Sequence, residues 1–260
     1  MAESTGTSAE SERSAESAPL EDTEMPLADH IEEMIKRLGV VLVVMALVSG
    51  VVFPIADDLI NFIWYSLLPG PTGPQAARPR VYDPLALILA RLKVSSLAGF
   101  VIALPLFVYQ TYRFMRPGLY PRERRYYLAA VPTSLILAIA GVAFAFYLIL
   151  PVIFTYFLQY SQGVTTIAFG LTETFGLMTL LMGFFALVFQ IPLFVMLAIM
   201  MGVTTRAWLA SKRLYFWGAF LGVSFLFSPD PTGMAPILVA ATMITLFEGT
   251  LLLLRWTGNE

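Results

Sequence analysis

From Tyr126 to Thr172 the chain runs for 47 residues without a formal charge. Soluble domains carry charge on roughly a quarter of their residues, whereas a helix crossing ~30 Å of hydrocarbon needs ~20 apolar residues in a row. The run is therefore a membrane signature, and it is too long for one span. Pro151 and the polar stretch Gln159-Tyr160-Ser161-Gln162-Gly163 divide it, which predicts a helix over 126–150 followed by an uncharged outer loop.

Further runs of the same scale set the fold class. Leu38–Ala56 and Val94–Tyr112 are uncharged, and the apolar pattern predicts spans over 38–56, 88–112, 126–150, 174–201, 214–227 and 234–254. The expectation is an all-α integral membrane protein of six transmembrane helices, within a domain covering 26–255. The last two spans read as short: 14 residues at 1.5 Å rise give the fifth only ~21 Å. A short span thins the bilayer or draws in partner helices, unless flanking residues such as Ser211–Arg213 extend it and snorkel. With 58% hydrophobic and 13% charged residues, a water-soluble enzyme is excluded.

The charges are as informative as their scarcity. Ten of the eighteen acids fall in the first 33 residues beside a single basic residue, Arg13, so a formal charge of −2 conceals an acidic tail on a basic body. Residues 1–25, rich in Ser, Ala and Glu, cannot bury enough apolar surface to offset the entropy of ordering. They read as a disordered tail without the basic start and apolar core of a cleavable signal peptide. Residues 256–260 read as a short C-terminal tail. With six spans, twelve basic residues fall on the side of the termini and four (Arg78, Arg80, Arg91, Lys93) on the other, and the positive-inside rule then predicts cytoplasmic termini.

Missing residue types exclude chemistry. Without cysteine there is no disulfide framework, thiolate metal site or cysteine nucleophile. The lone His30 cannot supply a two-histidine metal or haem site, and neither HExxH nor a Gly-rich phosphate loop occurs. No cofactor, no metal, no catalysis and no nucleic-acid partner are expected. What remains is a small set of carboxylates and one buried amide.

Glu123 is the only acid among Arg113, Arg116, Arg122, Arg124 and Arg125. Either it neutralises its neighbours, or, held by a stiff Pro117-Gly118 and Pro121 framework, it accepts a bidentate guanidinium bond that lysine imitates poorly. Glu32 and Glu33 precede Lys36 and Arg37 at i,i+4, a spacing that also describes an ordinary surface helix with two weak ion pairs. Gln190, beside Pro192 in the fourth span, must find a hydrogen-bond partner, either within the chain or on a docked helix. Glu173 reads as lying at the outer mouth of that span. Glu248 reads as a structural bond to a neighbouring helix, and Asp230, in the turn before the sixth span, as a helix cap. Gly218-x-x-x-Gly222 allows close helix approach, within the chain or to a partner.

Three segments carry a resemblance. Pro26–Leu38 reads PLADHIEEMIKRL, Phe114–Arg125 reads FMRPGLYPRERR, and FSPD at Phe227–Asp230 precedes LFE at Leu246–Glu248. In this order, within six spans, they resemble the TatC family, the multispanning core of the twin-arginine protein translocase. The resemblance implies a receptor for the Arg-Arg signal peptides of folded proteins, acting with single-span TatA/TatB-like partners, other copies of itself and the proton motive force. It implies residence in the plasma membrane of a prokaryote. Glu33 and Glu123 are implied as arginine acceptors, with His30 one turn before Glu33 on the same face. Phe114 is implied to meet an apolar residue after the arginine pair. Arg37 and Pro117 belong to the same motifs. Gln190 stands where relatives often have glutamate, on a surface implied to be concave and bilayer-facing where a partner helix docks. Ile35 stands where many relatives carry arginine.

Two other classes compete on the residues alone. A proton-coupled small-solute transporter using Glu173 and Glu248 predicts internal repeats and helices broken at the midplane; prolines occur at 105, 132 and 192 without a repeat. An intramembrane aspartyl protease requires two facing aspartates, whereas Asp57, Asp58, Asp83 and Asp230 all read as loop positions.

Overall fold

The computed structural model describes residues 27–67, 79–116, 119–161, 169–227 and 233–256, the side chains of 27–30, Arg122, Ser161 and Phe227 excepted. The acidic tail, Pro117, Asp230 and the last four residues lie outside the described residues. The regular structure among those described is helical, with one isolated parallel bridge, Arg80 to Gly170. The helices are α1 (Leu27–Val52), α2 (Ala56–Leu67), α3 (Ala86–Met115), α4 (Pro121–Phe144), α5 (Leu150–Ser161), α6 (Leu171–Val188), α7 (Ile191–Met200), α8 (Arg206–Ser211), α9 (Arg213–Phe227) and α10 (Met234–Trp256). Five helical stretches are long and apolar enough to cross a membrane: 31–67, 86–115, 123–160, 171–200 and 234–256; a shorter one covers 213–226.

Several boundaries depart from the sequence expectation, each for a packing reason. The first helix was expected to end at Ala56. Instead it takes one 3-10 turn, Phe53–Ile55, and resumes as α2. Pro54 removes a donor and forces the turn. Asp57 and Asp58, expected in a loop, occupy the first turn of α2, where carboxylates favour the helix dipole. The helix persists because Ala56, Ile60, Ile63, Trp64 and Leu67 form one buried stripe. Trp64 stacks on Phe175 with ring centroids 6.1 Å apart and meets Phe169 edge-on at 6.4 Å.

Pro151 does not end the third span either. The helix absorbs it in a π turn over Ala145–Ile149 and continues as α5 to Ser161. Ile149, Leu150, Ile153 and Phe154 are buried in the central core, so tertiary packing holds the turns that proline alone would release. Gln159, Tyr160 and Ser161 are thus helical. The helix expected as a short sixth span is not short: 23 residues give about 34 Å, because it runs on through Arg255 and Trp256. The fifth remains short at 15 residues, about 22 Å, preceded by the separate α8.

α3 is the organising helix, packed against α1, α4 and α6. Gly99 lets α1 approach, since a Cβ there would collide with the Met45 carbonyl and the Ser49 hydroxyl. Gly141 does the same for α4 against α6. α1 sits at the rim, with Val41 its one buried side chain among those described. α9 and α10 pair through Phe247, stacked on Phe216 at 5.0 Å and edge-on to Phe220 at 5.8 Å.

Candidate functional site

The start of α1, the α3–α4 connection, the end of α7, α8, the start of α9 and the end of α10 come together at one end of the bundle. This end holds Lys36, Arg37, Arg113, Arg116, Arg124, Arg125, Arg206, Lys212, Arg213 and Arg255, against Arg80, Arg91 and Lys93 towards the other. Arg91 is committed there, its Nε donating to Asp57 Oδ1 at 2.6 Å, and Lys93 donates to the Thr172 carbonyl at 2.9 Å.

The segment leading into the first turn of α4, which carries Glu123, is pinned from beneath. Leu119 is buried with Tyr112, Tyr127, Leu193 and Leu197, and the Tyr112 and Tyr127 rings lie 5.7 Å apart. Arg124 ties the loop backbone, donating from Nε to the Leu119 carbonyl (3.2 Å) and from Nη2 to the Arg116 carbonyl (3.4 Å). Its charge is thereby spent on carbonyls at the end of α3, where a cation opposes the negative dipole. Pro121 at the first helical position and Glu123 two residues on form a helix-start signature, and the Tyr120 N–H donates to Glu123 Oε2 at 2.9 Å. Among the described side chains Glu123 makes no ion pair. It does not neutralise Arg113, Arg116, Arg124 or Arg125, and its other oxygen remains an acceptor.

On α1 the two acids face different environments. Glu32 pairs with Lys36 at 2.7 Å in the open, whereas Glu33 and Arg37 turn inward. Arg37 Nε donates to Glu33 Oε1 at 3.0 Å, Nη2 donates to the same oxygen, and Nη1 reaches Gln110 Oε1 on α3 at 3.4 Å. Arg37 also lines a groove of about 320 Å³ with Met34, Leu38, Phe107 and Phe114. Arg37 and Phe114 therefore share one groove. Among the described residues no hydrogen bond or ion pair joins Glu33 to Glu123. His30 lies on α1 with its side chain outside the description. Gln110 escaped the sequence reading, although a polar residue one turn before Phe114 in an otherwise apolar run is a signal of it.

Gln190 is elsewhere. The sequence resemblance put it on a bilayer-facing surface, but its side chain is 1% exposed. The helix breaks at Phe189–Gln190 because Pro192 cannot donate, and the Gln190 N–H turns to the Leu187 carbonyl (2.9 Å). That leaves the Ala186 carbonyl, which accepts from Gln190 Nε2 at 3.1 Å, while the same nitrogen donates to the Ser134 carbonyl of α4 at 3.2 Å. In this conformation the amide nitrogen is used inside the chain, and the side chain is buried. Glu248 accepts from Trp217 Nε1 at 3.3 Å and pairs with Arg213 at 3.6 Å, an α9–α10 tie. Glu173 is exposed near the start of α6, so the two acids a transporter would need lie on separate helices at opposite ends.

Five helices long and apolar enough to cross a membrane, with basic residues gathered at one end of the bundle, define a polytopic membrane protein. Comparison with known proteins identifies which one. Residues 29–241 match the sequence model of TatC, the Sec-independent protein translocase protein, and the chain belongs to the TatC family. It is 60% identical to TatCo of Haloferax volcanii across 93% of its own length, spanning 59% of that longer relative. It is 34% identical to TatC of Methanocella arvoryzae, with 92% of this chain and 98% of that one aligned. A crystal structure of the twin-arginine translocase receptor TatC in DDM superposes with TM-score 0.74 at 25% identity, over 86% of this chain and 98% of that one. As a member of that family the chain is a translocase component and not an enzyme.

Proposed function

We propose that this protein is the receptor core that binds the Arg-Arg signal peptides of folded proteins at its basic end, through Glu123 and Glu33. The observation that carries this is Glu123: among the described side chains, four arginines included, it makes no ion pair, and the hydrogen bond described for it, from the Tyr120 N–H, takes one of its two oxygens. A carboxylate with a spare oxygen on a pinned loop suits a forked guanidinium. The surrounding cations are spent on loop carbonyls and anionic headgroups rather than on this acid. In this reading the chain has six spans, the short α9 included, lies in a prokaryotic plasma membrane with cytoplasmic termini, and carries cargo outward with the proton motive force.

Single-span TatA/TatB-like partners complete the machine. Their proposed seat includes α9, where Gly218 and Gly222 are exposed and a Cβ at either meets nothing within 4 Å. Among the described residues nothing packs against either glycine, which favours the docking alternative. Further copies of the same chain join the assembly.

The experiment is site-specific crosslinking of an Arg-Arg signal peptide to the protein in membranes. Glu33→Ala and Glu123→Ala should each weaken crosslinking, and the double variant should abolish export of a folded reporter. A double variant that exports as wild type refutes the assignment.

A further inference from the structure

We propose that Arg37 is a specificity-determining residue: it holds Glu33 as an internal guanidinium that an incoming arginine displaces and an incoming lysine does not. This rests on the signal-peptide reading above and adds to it a reason for arginine selectivity. The starting point is a contrast within one helix. Glu32–Lys36 and Glu33–Arg37 have the same i,i+4 spacing, yet the first pair is 63% and 72% exposed and the second 34% and 18%. An exposed pair of this kind contributes little. The inward pair is built into the packing between helices, with two N–H groups of Arg37 on Glu33 Oε1 and a third directed at Gln110 of α3.

Glu33 is therefore an occupied acceptor, and any ligand cation must compete for it. Exchange of one guanidinium for another conserves the number and geometry of charge-assisted bonds, so the apolar contacts of the ligand in the groove beside Phe107 and Phe114 decide the outcome. An ammonium is a point donor that cannot reproduce the planar fork. For lysine the exchange is a net loss that the same apolar contacts must first offset. Arg37 thus turns a carboxylate that would accept either cation into one that selects arginine, and Gln110 keeps the displaced side chain close for its return.

The test uses the full-length protein in lipid nanodiscs and two labelled peptides that differ only in an Arg-Arg or Lys-Lys pair ahead of the same apolar segment. Arg37→Gln should lower the ratio of Arg-Arg to Lys-Lys affinity about tenfold, chiefly by tightening the Lys-Lys peptide. Lys36→Gln removes the same charge one residue away and should leave the ratio within about twofold. Arg37→Lys, which keeps the charge and loses the fork, should also lower the ratio, and it carries the test if Arg37→Gln does not fold. An unchanged ratio in the Arg37 variants overturns the proposal, as does a parallel loss of both peptides, which would make Arg37 a scaffold. A wild-type protein that binds neither peptide, or both equally, instead refutes the proposed function itself.

Discussion

Gly141 is the position where the packing makes its most exacting demand. A Cβ built there lies 2.8 Å from the Phe185 carbonyl carbon and 3.0 Å from Ala186 Cα, with the Phe185 carbonyl oxygen nearer still. Carbon atoms prefer separations of about 3.5–4.0 Å. Both obstacles are backbone, so no rotamer change relieves them, and Gly141→Ala has to move α4 and α6 apart by about 0.7 Å or more. A gap of that size forfeits about a quarter to a half of the dispersion along the seam, where Ala138, Ala186 and Phe185 are fully buried. Overpacking of this kind costs about 1–3 kcal/mol, and occasionally more. Against it stands the helix propensity of alanine, worth up to about 1 kcal/mol over glycine. The net expectation is a loss of about 1–2 kcal/mol for Gly141→Ala, and more for Gly141→Val, which adds β-branching as well.

Thermal unfolding in detergent, followed by tryptophan fluorescence, reads this as a Tm fall of about 2–8 °C at the usual 2–4 °C per kcal/mol for a chain of this size. Gly39→Ala is the matched control: it lies inside α1 with nothing within 4 Å of a built Cβ. It gains propensity without a clash and should be neutral or slightly stabilising. If Gly141→Ala unfolds at or above the temperature of Gly39→Ala, the close α4–α6 approach does not exist as described and the reasoning fails.

Two further outcomes follow from the same structure. Gly222→Leu should leave the Tm of the isolated chain unchanged while lowering co-purification of the single-span partner several-fold; a destabilised monomer would show that α9 uses its glycines internally. Gln190→Leu should cost about 1 kcal/mol, the low end for hydrogen bonds inside membranes, because it frees the Ala186 and Ser134 carbonyls but also removes an Oε1 that lacks a partner among the described residues. Signal-peptide crosslinking should persist in that variant; its loss would link the buried amide to recognition.

The long uncharged runs made the membrane class legible, because each span carries its own hydrophobic signal and needs no partner to be read. Helix ends were less so. Pro54, Pro151 and Pro192 look alike in sequence, yet the first gives a 3-10 turn, the second a π turn and the third a break. The outcome depends on what the following turns bury: Trp64 finds Phe169 and Phe175 more than a hundred residues away in sequence, and Phe154 finds Phe169 on the next helical segment. At the site, Glu33 and Arg37 were readable because an i,i+4 pair is local. Gln110 and the inward turn of that pair were not, since they depend on how α1 meets α3. For Gln190 the internal bond and the docked helix could not be told apart for a related reason: a polar residue in an apolar span marks a bond but not which side of the helix makes it.

The polar groups of this chain are graded by depth, and the grading bears on what each can do. Breaking a hydrogen bond costs little where water replaces the partner and the full desolvation penalty where nothing can. Gln190, at 1% exposure, donates to carbonyls on two helices and is fixed. Glu248, held at intermediate exposure by Trp217 and Arg213, ties α9 to α10. Glu33 and Glu123 sit at the basic end, one bonded by Arg37 and the other by a backbone N–H, near enough to water for those bonds to be exchanged for others of the same kind. A receptor that must bind and release its cargo needs exchangeable acceptors at the surface and fixed ones within. Substitutions should divide along the same line, with changes at Gly141 or Gln190 read chiefly in unfolding and changes at Glu33, Arg37 or Glu123 read chiefly in peptide binding and selectivity.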